Sequence, residues 1–307
     1  MSHSPTARSA LLILNPAAGH GRTARFETPL REAARKLGWE IEIHRTERPG
    51  HEVTLAANAR AKWPVVVAVG GDGTAHGVAN GLLIGGPTDT ILAHVALGSG
   101  NDFARAIGMP RGSPERGLAS ALGGTVRRLD VGRALGEYFV NGFGVGLGAQ
   151  VVRETLRLSR LRGLALYAAA AVRAFAAFRP PELTVESEEH SACGRFLMVE
   201  VGNGPTGGGG FRLTPDARPD DGLLDACVIR EVGAWRFVRS LPSVVRGTHG
   251  RLAPVTLFKT RWILVGGVGD PVAVHLDGEL RHPTARAIEV DIEPGALNVL
   301  CGPSLPS

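Results

Sequence analysis

The chain has 307 residues, 44% of them hydrophobic, and a formal net charge of +5. That length suits two domains of ordinary size, and the composition excludes a largely disordered chain. The longest apolar stretch, Gly163 to Val172, is about half of the roughly 20 residues a membrane-spanning helix needs, which argues against an integral helical membrane protein. The basic balance, with a pI near 9.6, favours anionic partners such as nucleotides or phospholipid head groups, although it equally suits a solvated arginine-rich surface. Cys193, Cys227 and Cys301 lie far apart without a CxxC pair, as expected of buried thiols in a reducing cytoplasm. The polar start, Met1 to Ala10, runs straight into a strand-like segment and does not read as a signal peptide.

In chain order, Ala10 to Leu14 is a short apolar run that stops at the turn signal Asn15-Pro16. Thr23 to Leu37 has helical spacing, with Leu30, Ala33, Ala34 and Leu37 on one side. Glu40 to His44 alternates as a strand, and Gly50 to Ala61 reads as a helix. Val65 to Val69 is apolar at every position, the pattern of a strand covered on both faces. A helix over Thr74 to Leu83 and a strand over Ile91 to Leu97 continue the series. The alternation predicts an α/β layered domain with a mostly parallel sheet over residues 1–130.

The rhythm changes near Asp130. Tyr138 to Asn141 reads as a strand and Ala149 to Phe178 as one long helical segment. Short, turn-bounded strands follow over Leu183 to Glu186, Phe196 to Val201, Leu224 to Ile229, Val255 to Lys259, Val272 to Leu276 and Ile288 to Ile292. These predict a β-rich, β-sandwich-like second domain over residues 131–307. The cleft between two domains is then the expected place for a site.

Gly70-Gly71-Asp72-Gly73-Thr74 follows an all-apolar strand and precedes a helix. Glycines there let backbone N–H groups turn toward a phosphate, and the helix N-terminus adds partial positive charge. Asp72 cannot bind a phosphate directly, so its useful role is to hold Mg²⁺ or a cationic partner beside one; the plain alternative is a strand-to-helix turn capped by an Asp. Gly98-Ser99-Gly100-Asn101-Asp102 ends the next apolar strand, and Asn15-Pro16-Ala17-Ala18-Gly19-His20-Gly21-Arg22 ends the first, so three loops can converge on one nucleotide. Later, Asp220-Asp221-Gly222-Leu223-Leu224-Asp225 groups carboxylates around a glycine. Asp277-Gly278-Glu279 places two acids in a turn from which either can reach a substrate hydroxyl. Each of these reads alternatively as a solvated acidic turn.

In order, NPAAGHGR, GGDGT, GSGND, Leu129-Asp130-Val131-Gly132, Gly202-Asn203-Gly204, DDGLLD and LDGE resemble the diacylglycerol kinase catalytic-domain family, over nearly the whole chain. GGDGT alone is shared with NAD kinases and phosphofructokinase-like folds; DDGLLD and LDGE are more selective. The resemblance implies an NAD kinase/diacylglycerol kinase-like fold and transfer of the ATP γ-phosphoryl group to a lipid hydroxyl, with diacylglycerol the default acceptor. It places ATP on Asn15, Gly71, Gly73, Thr74, Gly98, Ser99 and Asn101. It implies a Mg²⁺- and water-linked network of Asp72, Asp102 and Asp130, with Asp72 counted in the catalytic machinery. It also implies a structural Mg²⁺ on Asp221, and Glu279 as general base supported by Asp277. The expected setting is cytoplasmic, with the protein meeting its lipid peripherally at the inner membrane face. No nucleic-acid partner is expected, and a homodimer is left open.

The chain departs from the family pattern at Gly77, where a Glu is usual, and the lost carboxylate raises the alternative of a weakly active homologue or a different lipid acceptor. Ala96, where the family often has proline, is a minor departure. Arg153, Arg157 and Arg160, with Leu156, Leu161 and Leu164 beside them, suit either a lipid-facing surface or, preferably, an interdomain helix with a solvated basic edge; Trp235, Phe237 and Leu241 allow the same two readings. Gly144 to Ala149 matches a dinucleotide-binding glycine pattern, but no acid follows about 20 residues on to hold a ribose.

Overall fold

The computed structural model describes residues 8–19, 21–155, 157–158, 161, 163–269 and 272–303. The chain forms two compact units, one running to Asp130 and resuming at Gly295, the other Val131–Pro294.

The first unit alternates strand and helix: β1 (Ser9–Leu14), α1 (Glu27–Lys36, preceded by a 3-10 turn over Thr23–Phe26), β2 (Glu40–Arg45), α2 (His51–Ala59), β3 (Val65–Gly70), α3 (Asp72–Leu83), β4 (Ile91–Ala96), α4 (Asp102–Ala106) and α5 (Pro114–Leu122). The helix starts and stops follow local chemistry. Ser113 caps α5 by accepting the Arg116 N–H, with Pro114 in the first turn; α1 carries Glu27 in its first turn and Arg35 and Lys36 in its last. The strands pair in parallel in the order β2-β1-β3-β4. On one face Leu30, Ala33 and Ala34 of α1 and Leu118, Ala121 and Leu122 of α5 pack on Ala10, Leu12, Val65, Val67, Ala93 and Val95. The alternate strand residues Leu11, Ile13, Val66 and Ala68 are equally buried, because α3 lies on β3 and α2 on α3. Each such Val, Leu or Ile side chain contributes about 1.5–3 kcal/mol on burial.

The α2–α3 contact explains Gly77. A Cβ at Gly77 would stand 2.2 Å from Cγ of Glu52, and one at Gly81 would stand 2.3 Å from the Val53 carbonyl oxygen. The two glycines, one turn apart, form the groove in which α2 lies. The position where the family pattern has a glutamate is thus covered here by a glutamate side chain from the neighbouring helix.

The second unit begins within β5 (Thr125–Ala134) and continues through β6 (Glu137–Phe139), β7 (Gly142–Gly146), α6 (Leu147–Thr155), α7 (Gly163–Ala177), β8 (Glu182–Ser187), β9 (Ser191–Gly202), β10 (Leu224–Arg230), α8 (Ala234–Arg246), β11 (Val255–Thr260), β12 (Trp262–Gly267), β13 (Val274–Leu276), β14 (Glu279–Arg281) and β15 (Ala287–Cys301). One antiparallel layer runs β14-β13-β7-β9-β10-β11. A second runs β8-β12-β15, joined to the first through the opening half of β9. Phe139, Phe143, Val145, Leu183, Phe196, Val201, Ile263, Val274 and Leu276 fill the core of this sandwich. The outer face of the first layer is covered by α6, α7 and α8, with Phe175 stacked on Phe237 at 4.2 Å.

Two expectations change. The second domain was read as reaching residue 307, but the chain from Gly295 packs with the first unit, where Val299 of β15 pairs in parallel with Leu92 of β4. The single helix over Ala149 to Phe178 is instead α6 and α7. The first turns off as Arg157 and Leu158 donate N–H bonds to Glu154 and Thr155, and Gly163 opens the second at φ +55. Buried Glu154 ties the pair by accepting bonds from Arg157 at 2.8 Å and Arg173 at 3.2 Å. Leu156, Arg160 and His20 lie outside the described residues. The glycine pattern over Gly144 to Ala149 runs from β7 into α6, and β7 is antiparallel to both neighbours, so this is no dinucleotide-binding βαβ unit. Among the described residues no helix is long and apolar enough to cross a membrane.

Candidate active site

The carboxyl ends of β1, β3 and β4 share one edge of the parallel sheet, and the strand order reverses between β1 and β3. Open α/β sheets bind ligands at such a reversal. Asn15 joins the loops there. Its N–H donates to the Val69 carbonyl at 3.0 Å and its side-chain amide to Thr74 Oγ1 at 3.1 Å. Its Oδ1 in turn accepts the Ala17 N–H at 3.0 Å.

The two glycine loops lie back to back. A Cβ on Gly98 would stand 2.4 Å from the Gly71 Cα, and one on Gly71 would stand 3.1 Å from the Gly98 Cα. Asn101, at φ +57, closes the second loop by accepting the Gly98 N–H at 2.9 Å and donating to the Gly98 carbonyl at 2.8 Å. Gly73 and Ser99 are half-buried on these loops. Gly71 is the N-cap of α3 and has no side chain to close its first turn, which leaves that helix end suited to an anion.

The acids have separate partners. Asp72 Oδ1 accepts the Phe103 N–H at 3.0 Å, tying the start of α3 to α4. Asp102 pairs with Arg105 at 2.8 Å, and Arg105 also donates to the Gly100 carbonyl at 2.6 Å. Asp130 is buried and accepts the Gly295 N–H at 2.7 Å. Among the described residues no three His, Cys, Asp or Glu side chains gather as a metal-binding group. This donor set suits a Mg²⁺ that arrives on nucleotide phosphates and takes one or two carboxylates from the protein, as is usual for that ion.

Asp221 does not offer such a set. Its Oδ2 and Asp225 Oδ2 accept the Lys259 ammonium at 2.8 and 2.9 Å, and the Asp216 carbonyl accepts it at 3.4 Å. Asp221 Oδ1 takes the Leu223 N–H at 3.1 Å. Three acceptors match the three donors of an ammonium, so the loop already holds a cation of its own. Burial pushes Asp225 up to about 6 against the pull of Lys259. Desolvation, the largest influence on Lys259, lowers it, but its bonds to Asp221 and Asp225 leave it raised overall. We expect the melting temperature of the nucleotide-free protein to be the same in EDTA and in excess Mg²⁺. Lys259→Met should cost about 1–3 kcal/mol by leaving two part-buried carboxylates without their donor. Calorimetry checks both, and a fall in EDTA would return a divalent ion to Asp221.

In the second unit, β13 and β14 form a hairpin whose two turn residues, Asp277 at φ +50 and Gly278 at φ +86, have the left-handed pair typical of a tight Asp-Gly turn. The Asp277 carboxylate accepts three backbone N–H bonds, from Val140 at 2.9 Å, Asn141 at 2.8 Å and Gly142 at 2.9 Å. It is thus a buttress that fixes the turn to the segment before β7. Glu279, the first residue of β14, is exposed and held in register opposite Leu276. Arg281 is clamped by both Glu137 oxygens at 2.8 and 2.7 Å. The Gly202-Asn203-Gly204 run serves the same segment, since Asn203 and Gly204 donate N–H bonds to the Asn141 carbonyl.

Residues 9–134 match the family model described as the diacylglycerol kinase catalytic domain. Residues 142–301 match the YegS C-terminal NAD kinase beta sandwich-like domain. The chain belongs to the diacylglycerol kinase family. This lipid kinase is 32% identical over 269 residues to a Pseudomonas aeruginosa protein named "Probable lipid kinase YegS-like", covering 87% of this chain and 86% of that one. It is 27% identical over 276 residues to the Bacillus subtilis diacylglycerol kinase, covering 89% and 90% of the two chains. The crystal structure of a diacylglycerol kinase from Bacillus anthracis superposes with a TM-score of 0.73 at 22% identity, covering 97% of this chain and 98% of that one, a likeness of fold.

Reading the sequence missed several residues of this lipid kinase that the structure brings forward. Arg105 was signalled only by its spacing three residues after Asp102, which pairs such residues on a helix. Lys259, Glu200 and His275 had no local signal, because each meets its partner across strands.

Proposed function

We propose that the chain transfers the γ-phosphoryl group of ATP to the hydroxyl of a lipid, with diacylglycerol the acceptor and phosphatidic acid the product. The back-to-back glycine loops at the β1/β3 reversal carry this reading. Side chains are absent where a triphosphate must approach the backbone, and α3 begins there. In this reading Asn15, Gly71, Gly73, Thr74, Gly98, Ser99 and Asn101 form and line the phosphate cradle. Asp72, with Asp102 and Asp130 behind it, orients the nucleotide's metal. Mg²⁺ bound with the nucleotide would supply charge neutralisation for the phosphoryl group.

Glu279 takes the acceptor hydroxyl proton, and Asp277 holds the turn that presents it. A peripheral encounter with membrane is supported by α7 and α8. Leu164, Val172, Val238 and Trp235, the last 75% exposed, lie outward beside exposed Arg173, Arg236 and Arg239. Helix α8 contains no acid, so this surface is matched to anionic lipid.

Relatives at or above 30% identity are named for lipid kinases without a stated acceptor, which favours as second reading a lipid other than diacylglycerol. Incubation with γ-labelled ATP and vesicles containing diacylglycerol, a sphingoid base or phosphatidylglycerol, with NAD in a parallel tube, tests the proposal. Label in phosphatidic acid is expected. Label only in another product moves the acceptor, and ATP binding without transfer rejects the kinase reading.

A further inference from the structure

A row of residues crosses four strands of the second unit. Register places His275 of β13 opposite Gly144 of β7, Gly144 opposite Glu200 of β9, and Glu200 opposite Cys227 of β10. Their neighbours along the strands, Leu276, Val145 and Val201, point into the sandwich core, so the row faces the helix-covered side. Position 144 has no side chain, and the two flanking side chains meet over it. His275 Nε2 lies 3.4 Å from Glu200 Oε2, with the side chains 10% and 6% exposed.

The space is made for them. A Cβ at Gly144 would stand 2.3 Å from both atoms, and one at Gly148 of α6 would stand 2.9 Å from the histidine nitrogen and 3.3 Å from the carboxylate. An acid and a base so enclosed cost desolvation that an apolar pair would not. Their position relates them to the hairpin. β13 and β14 end the layer, and among the described residues β13 pairs with the rest of the sheet through β7 alone. Beyond that short ladder, the hairpin is held by Asp277 on the amides of residues 140–142, by Arg281 of β14 on Glu137, and by His275 reaching over β7 to Glu200.

We propose that the His275–Glu200 pair is a positioning device for Glu279, tying the acid-bearing hairpin to the middle of the sheet. The inference rests on the reading of Glu279 as base. The groups facing His275 are Glu200 from β9 and Asp277 from its own turn. β14 sets Leu280 opposite it, β7 and α6 present glycines, and Cys227 of β10 lies beyond Glu200. Burial, the largest influence, lowers the histidine, but Glu200 and then Asp277 leave it raised overall. A raised histidine contributes its tie fully below the ordinary histidine value of about 6.5, and loses it as pH climbs through the folded value.

The test uses the full chain with diacylglycerol vesicles. Glu200→Gln and His275→Gln should each lower kcat about 10-fold while leaving KM for ATP within about 2-fold, and the double variant should be no worse than either. The alkaline fall in kcat should shift to lower pH in Glu200→Gln and vanish in His275→Gln. Histidine proton shifts of the unaltered protein, followed by NMR against pH, should show His275 titrating above the ordinary value, a readout that needs no variant to fold. Folded variants with unchanged kcat and pH profile, or a His275 that titrates at or below the ordinary value, overturn the proposal. If Glu279→Gln itself keeps full activity, the fault lies in the base assignment instead.

Discussion

Glu279→Gln is expected to reduce kcat by about 100-fold or more, within the roughly 10²–10⁴ that a positioned general base supplies. The expectation is specific because Glu279 is exposed at the first position of β14 and its backbone register is set by the hairpin. An exposed, isosteric change should leave stability within about 0.5 kcal/mol, and KM for ATP should not move. Steady-state kinetics on diacylglycerol vesicles, beside a melting curve, decide the matter. A variant with native kcat would remove Glu279 from the chemistry.

Gly98→Ala should act on the nucleotide side. Its new methyl would press on the Gly71 backbone at 2.4 Å, where no rotamer can relieve it. Overpacking of this kind costs about 1–3 kcal/mol. Because the strain falls on the loop proposed to cradle phosphate, we expect KM for ATP to rise roughly 10- to 100-fold. Gly233→Ala is the matched control: it lies at φ −72 with nothing within 4 Å of the added atom. ATP titration and thermal melts of the two variants separate local collision from a general cost of alanine. Equal behaviour would mean that the loops have room to part.

The α/β half was legible because its signals are local. Val65 to Val69 is apolar throughout since helices cover both faces of β3, and GGDGT lies where β3 meets α3. The second half was less so. α8 and β12 went unread although both carry a period: Phe237 and Val244 of α8 turn inward seven residues apart while Trp235 stays exposed, and Ile263 and Val265 of β12 are buried two apart. The supposed long helix was misjudged because alanine-rich sequence favours helix on either side of a break that depends on Gly163. Of the candidate site, spacing and resemblance single out the motif residues. The Lys259 clasp and the His275–Glu200 tie were not, because strand register brings together residues 34 and 75 positions apart for Asp225–Lys259 and Glu200–His275 respectively.

β15 has a consequence for the way this chain is made. Val299, more than 200 positions after Leu92 in the chain, supplies its neighbour in the parallel sheet. A nascent polypeptide emerging from the ribosome therefore presents the β4 margin uncovered until β15 has been made. Premature termination shortly before that point would release a product whose sandwich residues are all synthesised but whose nucleotide half keeps a bare sheet margin, a natural substrate for chaperones or for aggregation.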